Sequence, residues 1–234
     1  MVVSVIGHGR VGTHLQKALR QAGHEVVWLS GRDFTPDEVR GEVVIIAVRD
    51  DAIADVSRHI GNTTALVAHT SGSKPLSTIE QKHRGVFYPM QTFSKEREVE
   101  FKEIPLFLES DTDMPLLRQL AESISNNVRE LDSENRRKLH LAAVFACNFT
   151  NHCYALASQI TEEAGVDFSA LLPLIDETAQ KVHEMSPIEA QTGPAVRMDM
   201  SVIERHESML SGKAKDIYHL ISESIYDTVR SKEN

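Results

Sequence analysis

Short, nearly continuous runs of apolar residues recur through the first half of the chain. They are rich in Val and Ile and barely alternate with polar residues, which is typical of strands buried on both faces of a sheet. These runs predict strands at Val2–Ile6, Glu25–Ser30, Val43–Val48, Ala65–His69, Gly85–Tyr88, Ile104–Leu108 and Val128–Leu131. The segments between them predict helices at Val11–Ala22, Asp51–His59, Pro75–Lys82 and Met114–Ser123. This alternation predicts an α/β fold with a doubly wound sheet.

The second half changes character, because no strand pattern follows Ser133. Its periodicity predicts helices at Asn135–Ala164, Phe168–Met185, Asp199–Leu210 and Lys213–Arg230. Gly165 is placed to end the first of these, and Asp167 and Asp199 are placed to cap the next two. We therefore expect a dinucleotide-binding Rossmann-like domain over residues 1–131 and an all-helical domain for dimerisation or substrate binding over residues 132–234.

The first strand runs into the sequence GHGRVG, which has the spacing Gly-x-Gly-x-x-Gly and opens a predicted helix. In this setting Gly7 permits a tight turn, Gly9 lets the backbone approach a pyrophosphate, and Gly12 lets the helix pack on the strand. The start of the helix then presents free N–H groups to the phosphates. The motif predicts a dinucleotide site that also includes His8, Arg10 and Val11.

The end of the second strand bears on which dinucleotide is bound. An acidic residue usually contacts the ribose 2′-hydroxyl of NAD here, but Ser30 and Gly31 occupy the position and Arg32 follows. A guanidinium suits a 2′-phosphate, so the sequence favours NADP over NAD. The alternative is that Arg32 is solvated and Asp33 binds the ribose.

Two further strand ends carry polar residues at the edge where ligands bind in such sheets. After the third strand, Ala47, Val48 and Arg49 are expected to lie beside the cofactor, and Asp50 or Asp51 can cap the next helix. After the fourth strand, His69, Thr70, Ser71 and Gly72 lie at this edge. They contact either a substrate or the nicotinamide, with His69 and Ser71 the main candidates, or they only stabilise a turn. The segment YPMQTFS leaves the same two alternatives open around Pro89, Gln91 and Thr92.

Polar residues interrupt the apolar surface of the long predicted helix. His140, Asn148 and Asn151 fall on one broad face. They form either a satisfied core network or a wall of a cleft, where His140 transfers a proton and Asn148 orients a substrate carbonyl. After the break at TGP, Arg197 either pairs locally or holds an anionic substrate group.

Charge and composition exclude several partners. The 234 residues carry a net charge of -9, which argues against nucleic acid. No apolar run approaches the ~20 residues of a membrane span, and the first ten residues lack the pattern of a secretory signal. The two cysteines have neither disulfide nor metal-site spacing, so we expect no metal and a cytoplasmic location.

The long helix also predicts assembly. Its apolar residues cover most of its circumference: Leu139, Leu141, Val144, Phe145, Phe149, Tyr154 and Leu156. A helix that is apolar nearly all round is buried, and about 100 residues of helical domain offer limited cover. We therefore expect a homodimer formed through the helical domain.

Together the motifs VIGHGRVG, AVRDDAI, HTSGS, YPMQTFS, HLAAVFACNFTNH and TGPAVRMD resemble a family across essentially the whole chain. It comprises Rossmann-like proteins whose helical C-terminal half is domain of unknown function 2520, and it is similar to pyrroline-5-carboxylate reductase and to deazaflavin- and NADP-linked oxidoreductases. The resemblance implies an NADP-type cofactor at Gly7–Gly12, a 6-phosphogluconate-dehydrogenase-like helical layout, an active cleft between domains and dimerisation. Related hydroxyacid dehydrogenases use a Lys four residues before an Asn of the long helix, where Val144 precedes Asn148 here.

Two functions fit these features. The first is an NADP-dependent oxidoreductase that transfers hydride to or from a small carbonyl or imine compound in the inter-domain cleft. Its best proton donor is His140, with Asn148 to orient the substrate and Arg197 to bind an anionic group. The second is a dinucleotide-binding sensor or regulatory protein without turnover, which the missing Lys supports.

Overall fold

A single sheet of seven strands organises the first half of the chain in the computed structural model, which describes residues 1–233. The strands are β1 (Val2–Ile6), β2 (Glu25–Leu29), β3 (Val43–Ile46), β4 (Leu66–His69), β5 (Arg84–Pro89), β6 (Leu106–Ser110) and β7 (Val128–Glu130). Their order across the sheet is β2-β1-β3-β4-β5-β6-β7. All seven predicted strands are present, so the α/β prediction is confirmed.

Two strands run against the other five. β1 to β5 run in one direction, whereas β6 pairs antiparallel with β5, with Tyr88 opposite Phe107. β7 pairs parallel with β6 and therefore shares its reversed direction. The sequence did not predict this reversal. A parallel pair requires a long crossover, usually through a helix, but only a short 3₁₀ turn (Phe101–Glu103) lies between β5 and β6.

Helices cover both faces of the sheet. They are α1 (Arg10–Gln21), α2 (Ile53–Ile60) and α3 (Met114–Ile124). One buried cluster joins α1 and α3 to one face of the sheet, for example through Leu15 and Leu117. A second cluster joins α2 to the other face through Ile53 and Val56. The doubly wound arrangement is thus confirmed.

The helix predicted over Pro75–Lys82 is wrong. Only a 3₁₀ turn forms there, at Leu76–Thr78. Side chains from elsewhere hold two backbone N–H groups of this segment, including that of Glu80, which would donate to the Leu76 carbonyl in a helix. The Ser133 hydroxyl accepts from the Leu76 N–H at 2.9 Å, and the Ser57 hydroxyl accepts from the Glu80 N–H at 3.1 Å. Such bonds compete with helix formation.

All the longer elements of the described chain after β7 are helical. They are α4 (Ser133–Ala143), a π segment (Val144–Phe149), α5 (Thr150–Glu163), α6 (Leu172–Glu184), α7 (Met200–Met209) and α8 (Gly212–Glu233). The predicted caps are correct, since the Asp167 and Asp199 carboxylates accept from the backbone N–H groups of Ser169 and Val202. Gly165 follows α5 with φ +69°, as a helix-ending glycine does.

Contacts divide the chain into two compact units, Met1–Phe149 and the described residues from Thr150 onward. The first unit contains the sheet, α4 and the π segment. The sequence placed a domain boundary after residue 131, where the last strand pattern ends. The boundary between a dinucleotide-binding and a helical domain after residue 131 stays a prediction. The division by internal contacts instead falls after Phe149, at the end of the π segment.

Candidate functional site

A cavity of about 740 Å³ opens at the carboxyl ends of the parallel strands of the first unit. It lies beside β1 and β3, where the order of the strands reverses direction along the sheet. All the residues predicted to bind the cofactor except Gly12 line it: Gly7, His8, Gly9, Arg10, Val11, Ser30, Arg32, Ala47, Val48 and Arg49. The structure therefore brings residues from three separate segments to one place.

The three glycines of the loop differ in the space around them. A Cβ at Gly7 would overlap the Ala47 carbonyl, and one at Gly12 would overlap the Gly7 carbonyl. A Cβ at Gly9 would meet nothing nearer than the Ala47 oxygen at 3.8 Å. Gly7 and Gly12 are thus required by packing within the protein, whereas Gly9 faces open space in the cavity.

The loop is held from the second strand. The Trp28 indole N–H donates to the Gly7 carbonyl at 3.0 Å, and the His8 ring packs edge-on against Trp28 with 4.4 Å between centroids. Gly9 is the N-cap of α1, and no side chain caps the first turn. The N–H groups of this turn are therefore available to an anion, at the positive end of the helix dipole.

Three arginines line the cavity, and they differ in whether the guanidinium is paired with a carboxylate. Arg49 is committed to Asp51, with 2.6 Å between its Nη2 and the carboxylate. Among residues 1–233, neither Arg10 nor Arg32 has a hydrogen-bonding or ionic partner for its guanidinium. Two guanidinium groups without a contacting partner among these residues thus face a cavity that Asp33 also lines.

The caps predicted at the start of the next helix are wrong. Neither Asp50 nor Asp51 makes a side-chain cap hydrogen bond, and a 3₁₀ turn (Asp50–Ala52) precedes α2. Asp51 pairs with Arg49, and Asp50 accepts from the Ser73 hydroxyl. These partners compete successfully for the two carboxylates.

The predicted substrate residues after β4 are occupied internally. His69 is fully buried; its Nδ1 accepts from the Ser71 N–H at 3.1 Å and its Nε2 donates to the Pro75 carbonyl at 3.2 Å. Burial lowers the pKa of His69 to about 4, so the ring is neutral at pH 7. The Ser71 hydroxyl accepts from two backbone N–H groups, those of Ser73 and Lys74. These bonds stabilise the turn, and a substrate contact stays a prediction.

A second cavity of about 700 Å³ lies in the same unit and shares Arg10 and Val11 with the first. His140 and Asn148 both line it, with apolar residues between them on the helix. Gln91 and Thr92 of the YPMQTFS segment line it as well. The structure thus brings both predicted catalytic residues to one cavity beside the first one.

Local helix geometry contributes to this placement. The sequence predicted a regular helix, but residues Val144–Phe149 form a π segment. A π turn has more residues per turn than an α-helix, so it changes the face on which Asn148 emerges relative to His140. Such segments are frequent at functional sites.

Two other predicted polar residues lie in the second unit. Asn151 is exposed in α5. Arg197 is exposed at the end of a 3₁₀ turn (Pro194–Arg197). Its role as an anion clamp stays a prediction.

Sequence reasoning missed Tyr88, whose side chain contacts His140. Its hydroxyl lies 3.1 Å from His140 Nδ1, and it is only 8% exposed. Its position next to last in β5 was the available signal, since residues at the carboxyl edge of the sheet approach the ligand sites. Thr70, which the sequence places at the same edge after the fourth strand, lines the first cavity.

Over residues 1–233, no group of three or more His, Cys, Asp or Glu side chains is arranged to hold a metal ion. Over the same residues, every helix is too short or too polar to cross a membrane.

A mostly parallel sheet with a glycine loop at the reversal of strand order defines a Rossmann-like protein, here followed by a helical half. A family model described as Domain of unknown function (DUF2520) matches residues 104–225, which is more than half of the chain. The chain belongs to this family, and the sequence-based assignment is confirmed. No curated protein matches the chain.

Solved structures share the fold over nearly the whole chain. A Bacteroides fragilis protein named "putative NADP oxidoreductase" is 41% identical, with a TM-score of 0.88 over 97% of this chain and 98% of that one. An imine reductase from Myxococcus stipitatus, solved with NADP⁺, is 15% identical, with a TM-score of 0.68 over 99% and 93%. Pyrroline carboxylate reductase from Plasmodium falciparum, with NADP bound, is 9% identical, with a TM-score of 0.61 over 99% and 97%. The last two likenesses show the fold alone.

Proposed function

We propose that the protein binds NADP and transfers hydride between it and a small carbonyl or imine compound. The observation that carries the proposal is the pair of unpaired guanidinium groups, Arg10 and Arg32, beside the glycine loop. The 41% identical Bacteroides fragilis protein supports it by its name. The fit is local: Gly9 leaves room for a pyrophosphate, the start of α1 offers N–H groups, and Arg32 follows the strand that meets the adenosine ribose in this fold.

NADP would supply the hydride chemistry when bound, and the chain would bind and orient the reactants. The second cavity is the proposed substrate site, because it shares Arg10 and Val11 with the dinucleotide cavity. Its apolar lining favours a small molecule of low charge. His140 holds a transferable proton there, and Asn148 is positioned to orient the oxygen or nitrogen of the substrate.

The test of the cofactor compares two arginines of the same cavity. Arg32→Ala is expected to weaken NADPH binding roughly tenfold or more and to leave NADH binding nearly unchanged, because a charge-assisted pair is worth about 1.5–3 kcal/mol. Calorimetric titration with both nucleotides measures this. Arg49→Ala is the matched control: Asp51 already holds that guanidinium, so the ratio of the two affinities should not change.

Two results would contradict the cofactor assignment. Equal losses of NADPH and NADH in Arg32→Ala would show that Arg32 does not contact the 2′-phosphate. Tighter binding of NADH than of NADPH by the unaltered protein would assign the ribose to Asp33. Tight NADPH binding without oxidation by any ketone or imine of a test panel would favour the alternative, a sensor without turnover.

A homodimer and a cytoplasmic location complete the proposal. The exposed apolar residues of the helices support the dimer, because a second copy of the chain would cover them. The two cysteines, Cys147 and Cys153, are free thiols, which supports a reducing compartment.

A further inference from the structure

Two titratable side chains, Tyr88 and His140, contact each other directly on the wall of the second cavity. Tyr88 belongs to β5 and His140 to α4, and their rings meet edge to face with 6.0 Å between centroids. Apolar residues surround the phenol, among them Phe107 and Leu139. The His140 nitrogen is therefore the partner that satisfies a hydroxyl in a largely apolar setting.

Gly72 fixes the distance of the pair. A Cβ at this position would lie 2.7 Å from His140 Nδ1 and 2.9 Å from Tyr88 Cζ, closer than side chains tolerate. The turn after β4 thus closes directly over the contact. The bonds that His69 and Ser71 make within this turn hold it in place, which gives those two buried residues a positioning role for the pair.

Charge around the pair favours a protonated phenol. Burial raises the pKa of Tyr88, and the positive charge of Arg136, one turn before His140, opposes that rise without cancelling it. Arg136 is itself fully buried and paired with Glu109 of β6. From α1, Arg10 lines the same cavity. The phenol therefore keeps its proton through neutral pH.

We propose that Tyr88 is the proton donor to the substrate and that His140 re-protonates it, an inference that rests on the proposed function. In this assignment His140 Nδ1–H donates to the Tyr88 oxygen, so the phenolic O–H is free to donate to a carbonyl oxygen or imine nitrogen in the cavity. His140 is half-buried, so its ring reaches both the phenol and solvent.

The proposed step balances in atoms and electrons. Hydride from the reduced nicotinamide adds to the carbon of C=O or C=N, and the π electrons move to the oxygen or nitrogen. That atom takes the proton from the Tyr88 hydroxyl. As the phenolate takes the Nδ1 proton of His140, Nε2 takes up a proton from the solvent, so one H⁺ is consumed per turnover. Proton exchange with solvent then returns the ring to its Nδ1–H tautomer. The substrate carbon is reduced and the nicotinamide is oxidised.

The first test needs no turnover. The carbonyl probe 2-pyrrolidinone, which NADPH does not reduce, is titrated into protein with and without NADP⁺. The ring C–H signals of His140 are followed by NMR and assigned by their absence in His140→Gln. We expect a saturable shift in the unaltered protein and at least tenfold weaker binding in Tyr88→Phe. Phe107→Leu, a change in the same apolar cluster, is the packing control and should bind the probe as the unaltered protein does.

The second test measures NADPH oxidation with a panel of small ketones and cyclic imines. Tyr88→Phe is expected to lower kcat about 100-fold or more, the range of general acid catalysis, with an unchanged Kd for NADPH. A probe that shifts His140 equally in the unaltered protein and in Tyr88→Phe, a probe that never shifts it, or a full kcat in Tyr88→Phe would each overturn the inference. Failure of the unaltered protein to bind NADPH would instead overturn the proposed function. The probe titration without nucleotide would still test whether the Tyr88–His140 pair binds a carbonyl group.

Discussion

At the scale of single residues, the clearest departure from solution behaviour is His69. It is fully buried at the end of β4, and both ring nitrogens have backbone partners. Burial lowers its pKa from 6.5 to about 4, with a smaller contribution from the positive charge of Arg136. The sequence marked His69 as a substrate candidate, but its bonds stabilise the turn that holds Gly72 over Tyr88.

The lowered pKa of His69 predicts a loss of stability in acid. Between pH 6.5 and 4, His69 is protonated in the unfolded state but stays neutral in the folded state. Its contribution to the free energy of unfolding is therefore complete above pH 6.5 and declines as the pH falls towards 4. At pH 5 the loss is about 2 kcal/mol. Urea unfolding at pH 7.5 and pH 5 should therefore show a smaller pH effect in His69→Gln than in the unaltered protein or in the exposed control His152→Gln.

A direct titration checks the same prediction without a variant. The NMR midpoint of His69 in the folded protein is expected near 4. A midpoint near 6.5, or equal pH effects on the unfolding of His69→Gln and the unaltered protein, would contradict the buried, neutral ring.

At the scale of elements, the glycine loop separates binding from folding. Gly9→Val is expected to fold normally, because the Cβ site is open, and to lose dinucleotide binding, because the side chain enters the cavity where the pyrophosphate would lie. Gly12→Ala is the matched variant: its Cβ overlaps the Gly7 carbonyl, so we expect stability to fall by on the order of 1–3 kcal/mol. Thermal unfolding and calorimetric titration with NADPH measure the two effects. Unchanged affinity in a folded Gly9→Val would contradict the phosphate-binding role of the loop.

At the scale of the whole molecule, apolar side chains are exposed on most helices outside the sheet. In the second unit alone they include Ile160, Leu172, Leu174, Val182, Met209, Leu220 and Ile221. An apolar cavity of about 410 Å³ lies among α5, α7 and α8. Soluble proteins rarely leave so much apolar surface uncovered, so we propose that a second copy of the chain covers it.

The proposed dimer predicts a mass of twice 26.1 kDa by light scattering at micromolar concentration. Leu220→Glu places a charge on a side chain that is 63% exposed, and it is expected to shift the protein towards the monomer. Gln21→Glu adds the same charge on α1 in the first unit and should leave the dimer intact. A monomer that persists as the concentration rises would show that the helices need no partner.

The sequence by itself determined the seven strands, the glycine loop and the two aspartate caps, because each depends on residues that are neighbours in the chain. Buried strands appear as continuous apolar runs, and Gly7, Gly9 and Gly12 lie in the one turn between β1 and α1. The tertiary structure alone decided contacts between distant segments. It placed Tyr88 against His140, 52 residues apart, and it reversed β6 and β7. It also paired two N–H groups of the expected helix at Pro75–Lys82 with Ser57 and Ser133. Local patterns state which backbone conformations are favourable, but which donor meets which acceptor depends on packing across the fold.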